Sequence, residues 1–527
     1  MDFPALLDRH ALERPASVAL YDGDRPVSYA ELRQEVARIA ALLAARGARA
    51  GDRLALWLPN GAAWLAIFLA CAELGMTVVA VNTRFRSREV GDILARSRCR
   101  WLSVWPTFKG LPFSEILRDV DAYMLGEIER VMVLGDLPDS ALVAGAEMFS
   151  LEDGASGALP PATSTCRGES LALVYTTSGT TSRAKLVAHD QQTLIAHGES
   201  VAAFHRLDRD DAILLGAPFC GAFGFSTALA GLAAGIPLVT GPILDAAECA
   251  RQIRRFRVTH TFANNELLDR ILALGLEDGG GFPSLRVAGF ASFSPSLGSL
   301  PERAESTGIT MVGLYGSSEL QALVAAQDRD QALAKRQLPG GRLASPLARV
   351  RTRDLGSGAI LPHGEVGEIE IRSPSLMRAY LDDEEATGEA VDAEGYFRTG
   401  DLGHTLDSRT FVFHARKGDY LRLSGFLVNP AEIEQFIEEQ DGVAGCQIVG
   451  VAPEAKTIPV AFVVAQVGRP VNQAAILAAC REKLARFKVP ERIVVIDAFP
   501  VVESANSNKI QRTRLQDMAL AVLSESG

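Results

Sequence analysis

Apolar positions along this chain follow two rhythms, one helical and one extended, and the two alternate. The run Ser28-Tyr29-Ala30-Glu31-Leu32 opens a predicted helix in which Leu32, Val36, Ile39, Ala40 and Leu43 recur at helical spacing. Asp52 to Leu58 follows as a strand, a helix spans Ala62 to Leu74, and Thr77-Val78-Val79-Ala80-Val81 is the next strand. Further on, Leu171-Ala172-Leu173-Val174 reads as a buried strand. Asp190 is placed to cap a helix carrying Leu194, Ile195, Val201 and Ala202. Strands and helices alternate again from Arg257 to Leu300. From Pro362 to Asp401 a compact β unit is expected, in which Gly367-Glu368-Ile369-Glu370-Ile371-Arg372 alternates as a half-buried strand. Beyond it, strands at Cys446 to Val451, Val460 to Ala465 and Arg492 to Ile496 are separated by helices. Such alternation implies mainly parallel sheets with helices packed on them. The expected class is therefore α/β: a large N-terminal part of several subdomains, parallel sheets and helices with a small β-barrel-like unit, and a small C-terminal α/β domain.

Composition narrows the range of partners. A chain of 527 residues is too long for one core and implies two or more domains. With 53 Lys and Arg against 64 Asp and Glu, the formal charge is −11, so nothing draws the protein generally to nucleic acid or anionic lipid. An anionic ligand needs a locally built site. The start of the chain lacks a secretory pattern, and the apolar stretch Leu54 to Leu74 is broken by Pro59, Asn60 and Gly61, so no membrane span is expected. Seven scattered cysteines without C-x-x-C spacing argue for reduced thiols, a cytoplasmic setting and no zinc site. Asp153 to Gly168 is rich in small residues and proline and reads as a linker.

The candidate chemistry centres on Tyr175-Thr176-Thr177-Ser178-Gly179-Thr180-Thr181-Ser182-Arg183-Ala184-Lys185. Hydroxyls and approachable backbone N–H groups suit a polyphosphate, and the lysine supplies a countercharge. The same residue types also make flexible surface turns. It is not a Walker A loop, because no second glycine precedes Lys185 and Leu186 follows it.

The stretch resembles the phosphate loop of the adenylate-forming superfamily, which includes acyl-CoA synthetases, luciferases and peptide-synthetase adenylation domains. The family pattern T-S-G-T-T-G-x-P-K-G is met through Thr181 and at Lys185. Ser182, Ala184 and Leu186 stand where glycine, proline and glycine are usual. Four more segments resemble family motifs in family order: Tyr315-Gly316-Ser317-Ser318-Glu319, Tyr396-Phe397-Arg398-Thr399-Gly400-Asp401-Leu402, Arg416 to Pro430, and Lys509-Ile510-Gln511-Arg512.

The resemblance implies a role for each. Thr176, Thr177, Ser178, Gly179, Thr180, Thr181 and Lys185 hold phosphates; Tyr315 and Gly316 flank the purine, for which tyrosine offers a flat face. Ser318 donates to the α-phosphate or the carbonyl under attack, and Glu319 holds Mg²⁺. Asp401 accepts from the ribose hydroxyls, Arg416 contacts the nucleotide, and Lys509 neutralises charge developing during adenylation. Gly418 occupies the hinge, usually Asp or Lys, between a domain of residues 1–417 and a mobile lid of residues 419–527. Ser424, Gly425 and Phe426 lie on the implied coenzyme A path, with Ser424 replacing a glycine, as Asn508 does before Lys509. Phe219, Gly221, Phe223, Phe290, Gly313 and Leu314 are assigned to an acyl pocket. Gly221 stands where the family commonly has histidine, and Val287 to Phe293 matches its counterpart poorly.

The implied reaction has two steps. A carboxylate attacks ATP to give an acyl adenylate and pyrophosphate, and the thiol of coenzyme A then takes the acyl group. The pocket segments carry no acidic residue before Glu266 to pair an α-ammonium, so a fatty or hydrophobic aryl acid is expected rather than an amino acid. Other readings stay open: transfer to a carrier protein's phosphopantetheine, an impaired homologue that only binds nucleotide or acyl groups, or a luciferase-like oxidation. A homodimer also stays open.

Overall fold

The computed structural model describes residues 1–108, 111–153, 168–177, 184–277, 280–291, 299–417, 421–423, 426–428, 430–452, 457–503 and 508–524. The side chains of Arg422, Phe426, Leu427, Phe487, Val502, Glu503, Asn508 and Lys509 are excepted. Ser178, Gly179, Thr180, Thr181, Ser182, Gly418, Ser424, Gly425 and the linker residues 154–167 lie outside the described residues. The chain divides into two units: Met1–Ala291 with Ser299–Arg349 and Arg372–Phe397, and Val350–Ile371 with Arg398–Gly527.

In the first unit, helix Tyr29–Ala45 begins as its sequence requires. Ser28 Oγ accepts from the Glu31 N–H at 3.2 Å, and the Glu31 carboxylate accepts from the Ser28 N–H at 2.7 Å. Two free donors at the helix start are thus satisfied reciprocally. Its stripe of Leu32, Val36, Ile39, Ala40 and Leu43 is buried. Helix Ala62–Leu74 is buried almost all round, which is why its sequence shows no polar face.

One sheet runs Ala379–Tyr380, Leu186–Asp190, Leu171–Thr176, Thr77–Ala80, Arg53–Trp57, Trp101–Val104, Arg130–Val133, Glu147–Ser150. From Leu171–Thr176 onward its neighbours are parallel, whereas the two strands at its start pair antiparallel. A second set of neighbouring strands includes Thr310–Tyr315, Val287–Ala291, His260–Asn264, Ile213–Leu215, Leu238–Thr240 and Val18–Asp22, again all parallel. Helices Gln191–Phe204 and Ala222–Ala234 come so close that a Cβ on Gly198 would lie 2.6 Å from the Leu229 carbonyl oxygen. An aromatic cluster of Phe3, Trp64, Phe68, Phe219 and Phe225 fills the core nearby, with adjacent ring centroids 4.8 to 6.2 Å apart.

The second unit holds neighbouring strands Arg349–Arg353, Gly367–Arg372, Phe397–Thr405 and Thr410–Arg416. It also holds a C-terminal sheet of Val443–Val451, Ile458–Ala465 and Arg492–Ile496. One expectation is corrected here. Gly367–Arg372 is not half-buried: every residue from Gly367 to Ile371 is buried. Glu370 is fully buried because Arg351 and Arg353 both pair with it, and Glu368 accepts from Lys417 Nζ at 3.1 Å. Neutralised acids can occupy a face that an unpaired acid would leave.

Burial sets a pH response. His189, His197 and His205 are buried, which pushes their imidazoles down to about 4, about 3 and about 3 from an ordinary 6.5. The unfolded chain takes up these protons near 6.5, and the folded chain only near 3 to 4. Their contribution is therefore complete above pH 6.5 and drains as pH falls through that window. Urea denaturation should show stability declining between pH 6.5 and 4, and His205→Phe should flatten that slope.

Candidate active site

The neck of the phosphate-loop stretch is closed by backbone pairing. The Thr177 N–H donates to the Lys185 carbonyl at 3.0 Å, and the Lys185 N–H donates to Thr177 Oγ1 at 3.3 Å. Thr176 is buried, its hydroxyl donating to the Ala80 carbonyl at 3.0 Å. Lys185 emerges exposed at the start of strand Leu186–Asp190.

That strand carries a short partner, Ala379–Tyr380, in the register Ala379 to Ala188 and Tyr380 to Val187. The Arg378 and Leu381 N–H groups extend the pairing to the carbonyls of Ala188 and Leu186, at 2.8 and 2.7 Å. The buried Asp190 carboxylate is ion-paired with Arg378 and also caps helix Gln191–Phe204 through the Thr193 N–H at 2.8 Å. This pairing brings Tyr380 to the lysine. Lys185 Nζ donates to the Tyr380 hydroxyl at 3.2 Å and sits 4.5 Å from the centre of its ring. The hydroxyl in turn donates to Glu319 Oε1 at 2.9 Å. Burial first, then the Glu319 charge, pushes the Tyr380 phenol far above its ordinary value, so the hydroxyl keeps its proton and remains a donor.

Glu319 follows strand Thr310–Tyr315, and the Ser318–Glu319 backbone is held at two carbonyls. The Met377 N–H donates to the Glu319 carbonyl at 2.7 Å, and His189 Nε2 lies 2.8 Å from the Ser318 carbonyl. Gly316 allows a close turn, since a Cβ there would lie 2.5 Å from Ala322 Cα. Tyr315, Ser318 and Glu319 are partly exposed.

Among the residues assigned to an acyl pocket, Phe290 and Gly313 are cross-strand neighbours. A Cβ on Gly313 would meet the Leu338 carbonyl at 2.7 Å, and one on Gly289 would meet Phe262 Cδ1 at 2.5 Å and Leu314 Cδ1 at 2.9 Å. Phe219 is fully buried against Trp64, Phe223 is 4% exposed, and Gly221 caps helix Ala222–Ala234. Asn60 clamps this turn: its amide donates to the Ala217 carbonyl at 3.1 Å and its carbonyl accepts from the Phe219 N–H at 2.7 Å.

In the second unit, Asp401 and Arg416 face one another across an antiparallel pair of strands, with Nε 3.0 Å from Oδ1. Asp401 is buried, and Thr399 Oγ1 accepts its N–H at 3.0 Å while donating to the Ile369 carbonyl at 2.7 Å. Gly400 adopts a φ of 69°, the left-handed value that favours glycine. Lys509 lies on strand Asn508–Ile510, its backbone opposite Val502. Phe426 lies opposite Leu423 in a two-stranded ribbon.

Sequence reasoning missed Tyr380, His189 and Asn60. Tyr380 is followed by Leu381-Asp382-Asp383-Glu384-Glu385, which reads as a solvated turn. His189 carries no spacing signal, and Asn60 reads only as a turn residue.

Within the first unit a lysine and a carboxylate are thus joined through Tyr380, and within the second the buried Asp401 meets a more exposed Arg416. The chain belongs to the AMP-binding enzyme family: that family's model matches residues 7–381, and the model of the AMP-binding enzyme C-terminal domain matches residues 432–506. The chain is 30% identical over 525 residues to the 3-[(3aS,4S,7aS)-7a-methyl-1,5-dioxo-octahydro-1H-inden-4-yl]propanoyl:CoA ligase of Mycobacterium tuberculosis, covering 98% of both chains. It is 28% identical over 509 residues to the indoleacetate–CoA ligase of Aromatoleum aromaticum, covering 95% of both. ATP-bound MatB from Rhodopseudomonas palustris shares the fold, with a TM-score of 0.83 at 24% identity over 99% of this chain and 100% of that one.

The residues present fit Mg²⁺ brought with a nucleotide. Among the described residues no three His, Cys, Asp or Glu side chains gather to hold a metal unaided. Glu319 offers a partly exposed carboxylate, one oxygen of which Tyr380 orients. Such a donor suits an ion that takes most of its ligands from phosphates and water. Tyr380→Phe should weaken ATP binding in the presence of Mg²⁺ about tenfold, the scale of one hydrogen bond to a charged group. Calorimetric titration measures this, and the thermal unfolding curve should stay cooperative.

Proposed function

We propose that this protein activates a hydrophobic carboxylic acid as its acyl adenylate and passes the acyl group to the thiol of coenzyme A. It is an AMP-forming acid–thiol ligase using ATP, Mg²⁺ and coenzyme A. The observation that carries this reading is the Lys185–Tyr380–Glu319 chain at the loop neck, in a protein whose relatives along its whole length are CoA ligases.

In the first step a carboxylate oxygen bonds to the α-phosphorus and the bond to pyrophosphate breaks. Lys185 is assigned to the departing phosphates, Ser318 to the α-phosphate or acyl carbonyl, Asp401 to the ribose hydroxyls and Lys509 to the charge growing between carboxylate and phosphate. Mg²⁺ held through Glu319 supplies further neutralisation of phosphate charge. In the second step the thiolate attacks the acyl carbon and AMP leaves with the electron pair. Residues 419–527 are assigned as a lid turning about Gly418 between the two steps.

For the acid, two relatives bear names that place a short carboxylate arm on a fused bicyclic ring, and another is a long-chain fatty acid ligase. The assigned pocket residues are aromatic, small or aliphatic, which supports a fused-ring, aryl or fatty acid over a polar one. A carrier-protein phosphopantetheine is the alternative thiol, and sedimentation separates a monomer from a homodimer. Six described cysteines are all buried and unpaired, and among the described residues no helix is long and apolar enough to cross a membrane. The unpaired thiols support a cytoplasmic setting.

Pyrophosphate release from ATP with fused-ring, aryl and fatty acids, each with and without coenzyme A, tests the reading. The signal should depend on the acid, and Lys509→Ala should lower it about a hundredfold. Turnover confined to short polar acids such as malonate would overturn the hydrophobic assignment. Gly418→Pro locks φ and should reduce thioester formation far more than adenylation. Equal loss of both steps would remove Gly418 as the pivot.

A further inference from the structure

The Ser318–Glu319 segment is held at three points, each by a residue on or next to one ribbon. Tyr380 and Met377 hold the Glu319 side chain and carbonyl. The third is His189, on the strand that leaves the phosphate loop, whose Nε2 lies 2.8 Å from the Ser318 carbonyl. A carbonyl only accepts, so the proton sits on Nε2 and Nδ1 carries a lone pair. His189 is fully buried, packed edge-on to Tyr175 at 5.5 Å, and Nδ1 has no hydrogen-bond partner among the described residues. The imidazole therefore has one polar contact, and it is made to the residue before the proposed metal-binding carboxylate. The only other donor described near that carbonyl is the Gln321 N–H, at a long 3.4 Å.

We propose that His189 is a positioning residue: as a neutral Nε2–H donor it fixes the Ser318 carbonyl and so aims the Glu319 carboxylate and Ser318 hydroxyl at the phosphates held by the loop. This rests on the reading above that Ser318 and Glu319 serve adenylation. Without the donor, the Ser318 carbonyl must find another, and the peptide turns. A turn of the Ser318–Glu319 peptide moves the carboxylate away from the ion and the hydroxyl away from the α-phosphate.

The test compares His189→Gln, whose amide N–H can occupy the Nε2 position, with His189→Asn, whose shorter amide cannot, and with His197→Leu. His197 is an equally buried imidazole on helix Gln191–Phe204 that contacts Ser375 Oγ at 3.0 Å and no part of the Ser318–Glu319 segment. For each protein, pyrophosphate release and calorimetric ATP binding are titrated against Mg²⁺. His189→Asn should lose about tenfold or more in adenylation kcat and need several-fold more Mg²⁺ for half-saturation. His189→Gln should stay within about threefold of wild type in both. His197→Leu should melt lower yet keep the wild-type Mg²⁺ dependence. Equal impairment of the Gln and Asn variants, a shift in Mg²⁺ dependence in His197→Leu matching that of His189→Asn, or wild-type behaviour of His189→Asn would each overturn the proposal. If the wild-type chain binds ATP with Mg²⁺ but activates no acid, the ligase reading fails separately, and the His189 contrast is still read from the Mg²⁺ dependence of ATP binding.

Discussion

Five backbone positions, Leu186 to Asp190, organise the contacts around Glu319 in the first unit. Their antiparallel pairing with Ala379–Tyr380 joins residues almost two hundred positions apart in the chain. From this ribbon Lys185 enters the loop neck, Tyr380 reaches Glu319, His189 reaches the Ser318 carbonyl and Asp190 starts the helix that follows. The Tyr380–Glu319, His189–Ser318 and Asp190–Thr193 hydrogen bonds, at 2.8 to 2.9 Å, are buried or part-buried and so cost more to lose than surface contacts, whereas Lys185 stays exposed. A ribbon of this kind holds a site rigidly because its ladder hydrogen bonds and its side-chain contacts set the same register. Slipping by one residue would turn His189 and Tyr380 to the wrong faces together.

Charge is handled by one device used repeatedly. Asp190 with Arg378, Glu370 with Arg351 and Arg353, Glu73 with Arg33, and Asp401 with Arg416 all place a buried acid against a more exposed guanidinium. The arginine keeps part of its hydration while the acid gains directed donors, which lessens the desolvation cost that weakens fully buried pairs. Asp401 shows how structure and chemistry share such a pair. The Thr399 hydroxyl and the left-handed turn at Gly400 orient the aspartate, and Arg416 neutralises it from the neighbouring strand.

Some of this was legible without coordinates. The capped helix at Ser28, the helix cap at Asp190 and the strands at Leu171 and Val460 rest on neighbours a few residues away, so local spacing reports them directly. The half-buried reading of Gly367–Arg372 failed because Glu368 and Glu370 are neutralised by Lys417, Arg351 and Arg353, which periodicity within six residues does not register. Tyr380 and His189 escaped notice for a related reason. Neither belongs to a motif, and each matters only through a partner more than sixty residues away in the chain.

The sequence by itself determined the order of strands and helices, the hydroxyl-rich loop with its lysine, the acid at 319 and the aspartate held beside a glycine at 401. These follow from backbone preferences and residue chemistry that act over a few positions. Tertiary structure alone decided which groups meet: Lys185 with Tyr380, Tyr380 with Glu319, His189 with Ser318, Asn60 with the turn at Phe219, and Asp401 with Arg416. The physical reason is that strands neighbouring in these sheets are brought together by crossovers and long returns, so Leu171–Thr176 lies beside Thr77–Ala80 and Leu186–Asp190 beside Ala379–Tyr380. Side-chain contacts across such pairs depend on register and packing, which no local pattern encodes.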